Sequence, residues 1–225
     1  MLEEIESGGR LSFVYKSMSN AVFLPRAMLP INALNVLEIG SYLGDNTSGI
    51  NKDAKYVGID ISDEAVKYAN EIYANDNIDF LCMDAHKVEE LGTNFDYVYG
   101  NGILHHLDLD IFIPALRNIL KDSGKAVFME PNIGPPWLRI FRALTPSLRT
   151  DDEHPLTKKD FQKFSMHFKV ETINFGIICP ILPMVFLNNK FITKICQKLD
   201  SYLAKTWLAK WSWVSVLVLS SKDKA

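Results

Sequence analysis

From Leu34 onward, short apolar segments alternate with stretches of helical periodicity, and this alternation constrains the fold more than any other feature of the chain. LNVLEI (34–39), YVGID (56–60), IDFLCM (78–83), FDYVYG (95–100) and KAVFME (125–130) are rich in β-branched or aromatic residues and too short for typical helices. Strands separated in this way belong to βαβ units around a parallel sheet. In SDEAVKYANEIYA, Ser62 is placed to cap a helix, acids fill its first turn, and Ala65, Val66, Ala69, Ile72 and Tyr73 recur at helical spacing. LDIFIPALRNILKDSG sets Leu116, Ile119 and Leu120 on one face, with Gly124 as the expected C-cap. Gly49 interrupts the stretch after Gly44, so the first helix is expected to be short or irregular.

After the fifth strand the pattern changes. Residues 131–157 hold five of the ten prolines, which predicts a long ordered loop with one helical turn around Trp137 to Leu144. KKDFQKFSMH then reads as a helix, FKVETINF as a strand and WSWVSVLVLSS as the last strand. Between those strands lies a long insertion, residues 176–211. Its second half is expected to put Ile192, Ile195, Cys196, Leu199, Tyr202 and Leu203 on one face and lysines on the other.

At 225 residues and 48% hydrophobic content, the chain is the size of one α/β domain with an appended lid. The N-terminal MLEEIESGGR lacks the apolar core of a secretory signal, and the longest apolar run, FGIICPILPMVFL, contains two prolines, so the expectation is a cytoplasmic protein. Cys82, Cys179 and Cys196 are far apart and lack CxxC spacing, which argues against disulfides and zinc and for buried thiols. Residues 1–100 carry 16 acids and 7 bases, a net of −9, whereas residues 158–225 carry 4 acids and 11 bases, a net of +7. The chain is acidic overall, with a net charge of −3, and its first half strongly so, which disfavours nucleic acid as a partner, while the gradient allows an acidic or membrane-surface partner for the C-terminal part.

Ligands of open α/β sheets sit at the carboxyl ends of the strands, where the strand order reverses. After the first strand comes GSYLG, which supplies Gly40 of a GxGxxG fingerprint but has Tyr42 and Asp45 in place of its other glycines. An acid-x-G-x-G-x-G pattern fits better, with Glu38, Gly40 and Gly44 present and Tyr42 the one departure. After the second strand stands Asp60, whose two oxygens can accept from a vicinal diol. Asp84, after the third, can accept from an exocyclic amine, and Asn101 opens NGILHHLD after the fourth.

The ordered set VLEIGSYLG, YVGIDIS, FLCMDAH, FDYVYGNGILHHL and LKDSGKAVFMEPN resembles the class I S-adenosylmethionine-dependent methyltransferases over about residues 34–131, and most resembles the small-molecule group often labelled type 11. The resemblance implies a Rossmann-like, seven-stranded, mostly parallel sheet with helices on both faces and a C-terminal antiparallel hairpin, here carrying the helical insertion. It implies a single domain, with residues 1–33 as an N-terminal lid segment, 34–131 as the cofactor-binding core, and 132–157 and 176–211 on the substrate side. It also implies S-adenosyl-L-methionine as cofactor. Glu38 and the backbone of Gly40 to Gly44 would then face its methionine part, Asp60 its ribose, Asp84 and Ala85 its adenine, and Asn101 its amine and methyl region. Tyr42 is compatible with this if its φ is negative and its side chain points away; if it filled the cleft, affinity would fall.

A hydroxyl acceptor needs a base to take its proton, and His105, His106 and His154 are the candidates, with Glu130 beside them. PPWLRIF and ICPILPMVFL offer apolar walls, which favours a small-molecule acceptor with an apolar, lipid-like part. The lysine-bearing insertion 176–211 is expected to close as a lid or to make a peripheral membrane contact. The alternatives are a non-catalytic binding or partner module on the same fold and a nicotinamide-dependent oxidoreductase. Metal ligands and oligomeric state are not indicated.

Overall fold

The computed structural model describes residues 19–47, 50–92, 94–132, 134, 154–178 and 190–222. Seven strands form one sheet: β1 (Asn35–Ile39), β2 (Lys55–Asp60), β3 (Ile78–Cys82), β4 (Phe95–Asn101), β5 (Leu120–Pro131), β6 (Phe168–Phe175) and β7 (Val214–Ser221). Their order is β3-β2-β1-β4-β5-β7-β6. The first five run parallel, whereas β7 is antiparallel to both β5 and β6. This is the Rossmann-like sheet with a C-terminal antiparallel hairpin expected from the sequence, and its order reverses between β1 and β4.

Helices cover both faces, which is why the central strands are apolar at nearly every position. On one side Leu37, Ile39, Ile59, Val98, Ala126, Phe128 and Leu217 pack against α3 (Leu109–Ile119) through Phe112, Ile113 and Leu116, and against α4 (Lys158–His167) through Phe164. On the other, Val36, Tyr56, Tyr97, Tyr99, Val127 and Val216 meet α1 (Ser19–Ala27) through Ala21 and Val22 and α2 (Asp63–Tyr73) through Val66 and Ala69. Residues 19–27 of the expected lid segment are therefore built into the core. Tyr97 fixes them there by donating its hydroxyl to the carbonyl of Pro25.

Local signals explain most helix ends. Ser62 accepts from the Ala65 N–H at the start of α2, and Thr157 with Asp160 forms a reciprocal capping box at the start of α4. The segment after Gly44 is a single 3-10 turn, Asp45–Thr47.

Three expectations are corrected. Gly124 does not cap α3, which stops at Ile119; the chain enters β5 at once, and a bulge separates the Phe95–Leu120 and Tyr97–Lys125 pairs. Gly124 sits in that bulge, where a Cβ would come 2.9 Å from the Phe95 carbonyl. Cys82 is exposed, because β3 is an edge strand; Cys196 is buried, and Cys179 lies outside the described residues. In α5 (Lys190–Leu203), Cys196 is buried but Ile195, Leu199 and Tyr202 are 44%, 48% and 70% exposed. The helix turns Asp200 inward instead, where its carboxylate accepts from the N–H groups of Gly176, Ile177 and Ile178. The expected turn around Trp137 to Leu144 lies outside the described residues.

Candidate functional site

The strand ends converge on a cavity of about 360 Å³ lined by Ile39, Gly40, Ile59, Asp60, Ile61, Met83, Asp84, Ala85, His86, Ile103, His106 and Leu107. Its walls come from the segments following β1, β2, β3 and β4, on either side of the point where the order reverses. Parallel pairing creates this convergence: Glu38 stands opposite Gly58 and Tyr99, and Asp60 opposite Cys82, so the acids emerge at one edge.

Asp60 organises the first loop. Its Oδ2 accepts from the Tyr42 N–H and its Oδ1 from the Ser62 N–H, each at 2.9 Å. Each oxygen keeps a further lone pair, the capacity a vicinal diol would use. Gly40 has φ +74° and lines the cavity with its backbone. Gly44, φ +76°, serves packing: a Cβ there would lie 2.7 Å from the Phe80 ring and 2.9 Å from Ala69.

Tyr42 departs from the expectation of a negative φ. Its φ is +45°, yet it is 62% exposed and absent from the cavity wall. The ring points away from the site, so the cost of a tyrosine here is backbone strain rather than occlusion. Left-handed backbone costs a side-chain-bearing residue roughly 1–2 kcal/mol, partly offset in a glycine variant by the larger entropy of its unfolded chain. Tyr42→Gly is accordingly expected to stabilise the fold by about 0.5–1 kcal/mol, read as a higher urea midpoint at unchanged slope; a lower midpoint would refute the strain.

Glu38 is buried and does not line the cavity. Its Oε1 accepts from Asn46 Nδ2 at 2.7 Å and its Oε2 from the hydroxyls of Tyr56 and Tyr99. It thereby ties the 3-10 turn after the glycine loop to β1, β2 and β4. Burial pushes its pKa up to about 7 against the lowering effect of those hydrogen bonds. A carboxyl raised above its unfolded value favours the folded state at low pH, and that contribution is lost as pH rises towards the folded pKa. Between pH 5.5 and 8 the wild-type fold is expected to lose about 2 kcal/mol relative to Glu38→Gln. Parallel urea titrations of the two proteins would reveal it, and a pH-independent difference would contradict it.

Asp84 caps the 3-10 segment Ala85–Leu91, its Oδ1 accepting from the His86 N–H and from His86 Nδ1 at 2.7 Å. The His86 backbone N–H is the main cause holding its carboxyl below the usual range. His86 Nε2 in turn accepts from the Asp108 N–H at 2.9 Å, so the imidazole is a neutral bridge between the β3 and β4 loops. Sequence reasoning passed over this histidine, although its place two residues after a capping acid was the available signal. Ala85, 8% exposed, completes that wall.

Asn101 ends β4, and its Oδ1 is buried without a hydrogen-bond partner, as is Ser41 Oγ beside Gly40. Such buried polar atoms call for a partner. Together with an apolar slot carrying an acid at each of two strand ends, they fit an adenosine-bearing ligand with an amine. Gly100 was also missed: a Cβ there would lie 2.7 Å from the Ile39 carbonyl, so only glycine lets β4 meet β1 at this point.

The three histidines are placed differently. His106 is exposed and lines the cavity. His105 is buried, its Nδ1 2.7 Å from Glu130 Oε2, and its ring lies 4.1 Å from that of His106. The Glu130 carboxylate thereby fixes the orientation of this imidazole. His154 is exposed and donates its backbone N–H to the His105 carbonyl at 2.9 Å, so the strap leading to α4 lies against this turn. Among the described residues no group of three or more His, Cys, Asp or Glu is arranged to hold a metal.

Residues 36–124 match a family model described as a methyltransferase domain. Over 101 residues the chain is 35% identical to the ribosomal protein L11 methyltransferase of Lactobacillus johnsonii, covering 44% of this chain and 31% of that protein. The chain thus spans about a third of the length of this curated relative. Among solved structures it resembles a SAM-dependent methyltransferase from Archaeoglobus fulgidus, with a TM-score of 0.62 at 17% identity and 98% of each chain covered. It also resembles the geranyl diphosphate C-methyltransferase of Streptomyces coelicolor A3(2), with a TM-score of 0.59 at 11% identity, covering 91% of this chain and 77% of that one. At these identities the two structures speak to fold. Residues 36–124 are thus similar to a methyltransferase domain, and the chain shares the fold of these S-adenosylmethionine-dependent methyltransferases.

Proposed function

We propose that the chain is an S-adenosylmethionine-dependent methyltransferase acting on a small molecule with an apolar part. The observation that carries this reading is the cavity at the reversal point, with Asp60 and Asp84 on its polar side and Ile61, Met83, Ile103 and Leu107 on its apolar side. When bound, the cofactor supplies an electrophilic methyl group. The chain's own residues hold and orient: Asp60 would take the ribose hydroxyls, Asp84 the adenine amine, and Asn101 Oδ1 the methionine amine. Tyr42 stands clear of the cavity, which removes the main argument for a module unable to bind.

For a hydroxyl acceptor, His106 at the cavity wall, the Glu130-oriented His105 behind it and His154 on the adjoining strap are the candidate bases. Proton transfer to such a positioned group contributes typically 10²–10⁴-fold, so such a base would matter for an oxygen acceptor and little for an amine already deprotonated. The apolar character of the acceptor is supported by the fold shared with a geranyl diphosphate C-methyltransferase. The overlap with the L11 methyltransferase leaves most of that protein unmatched, so its acceptor is not carried over.

Calorimetric titration with S-adenosylhomocysteine, with NAD as control, tests the cofactor. Micromolar binding of the first and none of the second is expected. The reverse preference would favour the oxidoreductase reading, and no binding of either would favour the non-catalytic one.

A further inference from the structure

The insertion between β6 and β7 returns to the edge of the sheet that carries the cavity. Strand β6 is antiparallel to β7, and β7 to β5, so β6 runs parallel to β5 and ends at the same edge; Pro131 and Phe175 both pair with Val214. Asp200 clamps α5 there through the three N–H groups that follow β6. Nearby, Asn132, Asn174, Ser212 and Ser215 join the ends of all three strands by side-chain hydrogen bonds.

With Cys196 and Asp200 turned inward, α5 presents a second apolar stripe to solvent. Phe191, Ile195, Leu199 and Tyr202 recur at intervals of four, four and three residues, the spacing of one helix face, and are 71%, 44%, 48% and 70% exposed. Lys194 and Lys198 border the stripe. The 3-10 segment Trp207–Trp211 follows, with Trp207 68% exposed and Lys210 Nζ 4.8 Å from its ring centroid and 5.5 Å from that of Trp211. Residues 176–211 hold five lysines against one aspartate. Among the described residues no helix is long and apolar enough to cross a membrane.

We infer that α5 and the Trp207–Trp211 segment dock on an anionic lipid surface, with the cavity-bearing edge of the sheet turned towards it. A short helix with an exposed apolar stripe bordered by lysines, followed by tryptophans, has the composition of the bilayer interface: the rings enter the headgroup region while the lysines meet lipid phosphates and carboxylates. A second copy of the chain is a poorer occupant, because an isologous contact between two such faces sets lysine against lysine. The inference concerns where the protein sits and stands apart from turnover.

Sedimentation with phosphatidylcholine vesicles, with and without about 30% phosphatidylserine, tests it. Retention is expected on the anionic vesicles only, and to be lost in about 0.5 M salt. Lys194→Glu with Lys198→Glu should weaken it at least about tenfold, and Leu199→Ser with Tyr202→Ser should abolish it. Both variants replace exposed side chains, so each should keep the wild-type urea midpoint and affinity for S-adenosylhomocysteine, which separates failure of docking from failure of the fold or of the cofactor reading. Equal retention on both vesicle types, or none on either, would overturn the inference. So would a concentration-dependent dimer dissolved by the serine pair, which would assign the stripe to a second copy.

Discussion

Asp60→Ala is expected to lower the affinity for S-adenosylhomocysteine at least about 100-fold. Hydrogen bonds to an ionised acceptor contribute roughly 1.5–3 kcal/mol each, and two ribose hydroxyls on one carboxylate make about 3 kcal/mol or more. The structure adds a second effect. The same carboxylate holds the Tyr42 and Ser62 N–H groups, and so fixes the glycine loop against the start of α2. Removing it therefore also loosens the loop, and a stability loss of about 1 kcal/mol should accompany the lost affinity. Asp60→Asn keeps one carbonyl oxygen but presents an NH₂ to one of the two N–H donors, so an intermediate affinity is expected. Calorimetry and urea unfolding on the same preparations separate the two effects. Affinity equal to wild type in the alanine variant would remove Asp60 from the site.

The acids at the strand ends were legible in the sequence because the end of an apolar run marks the end of a strand, and parallel strands deliver their ends to one edge. Asp60 and Asp84 follow from that rule alone, and both line the cavity. The use of Glu38 was not legible. Its partners Tyr56 and Tyr99 look like ordinary strand aromatics, and only the register of β1 against β2 and β4 sets their hydroxyls on its carboxylate. Gly44 reads as a cofactor glycine by spacing, whereas its bare Cα is required by Phe80 on β3 and Ala69 on α2, elements distant in sequence. The same limit explains α5. Helical periodicity identifies its apolar positions but cannot say that a buried aspartate, held by three backbone N–H groups from the end of β6, chooses the inward face.

Glu130→Ala is expected to destabilise the fold by about 3–5 kcal/mol, the cost of deleting one member of a buried, hydrogen-bonded pair. Glu130 is fully buried at the end of β5. Its Oε1 accepts from the Ile103 and Leu104 N–H groups at 2.9 and 2.8 Å, and its Oε2 from the His105 N–H at 3.4 Å and from His105 Nδ1 at 2.7 Å. Alanine would strand the N–H donors of the 3-10 turn Leu104–His106 in a site that water reaches poorly, and would open a void beneath it. Glu130→Gln retains the volume and one carbonyl oxygen for Ile103 and Leu104, but turns its NH₂ towards the His105 N–H and Nδ1, replacing an acceptor with a donor. About half the stability loss is expected from it. Because this turn carries Ile103, His106 and Leu107 into the cavity wall, affinity for S-adenosylhomocysteine should fall with stability in the alanine variant and less in the glutamine one. A base role for His105 predicts a further split. Glutamine would leave binding closer to wild type yet cut turnover of a hydroxyl acceptor at least about 100-fold, since the carboxylate that orients the imidazole is gone. Urea unfolding, calorimetry and a methyl-transfer assay on the two variants read these effects separately. A loss under about 1 kcal/mol in Glu130→Ala would show that the turn holds without its carboxylate.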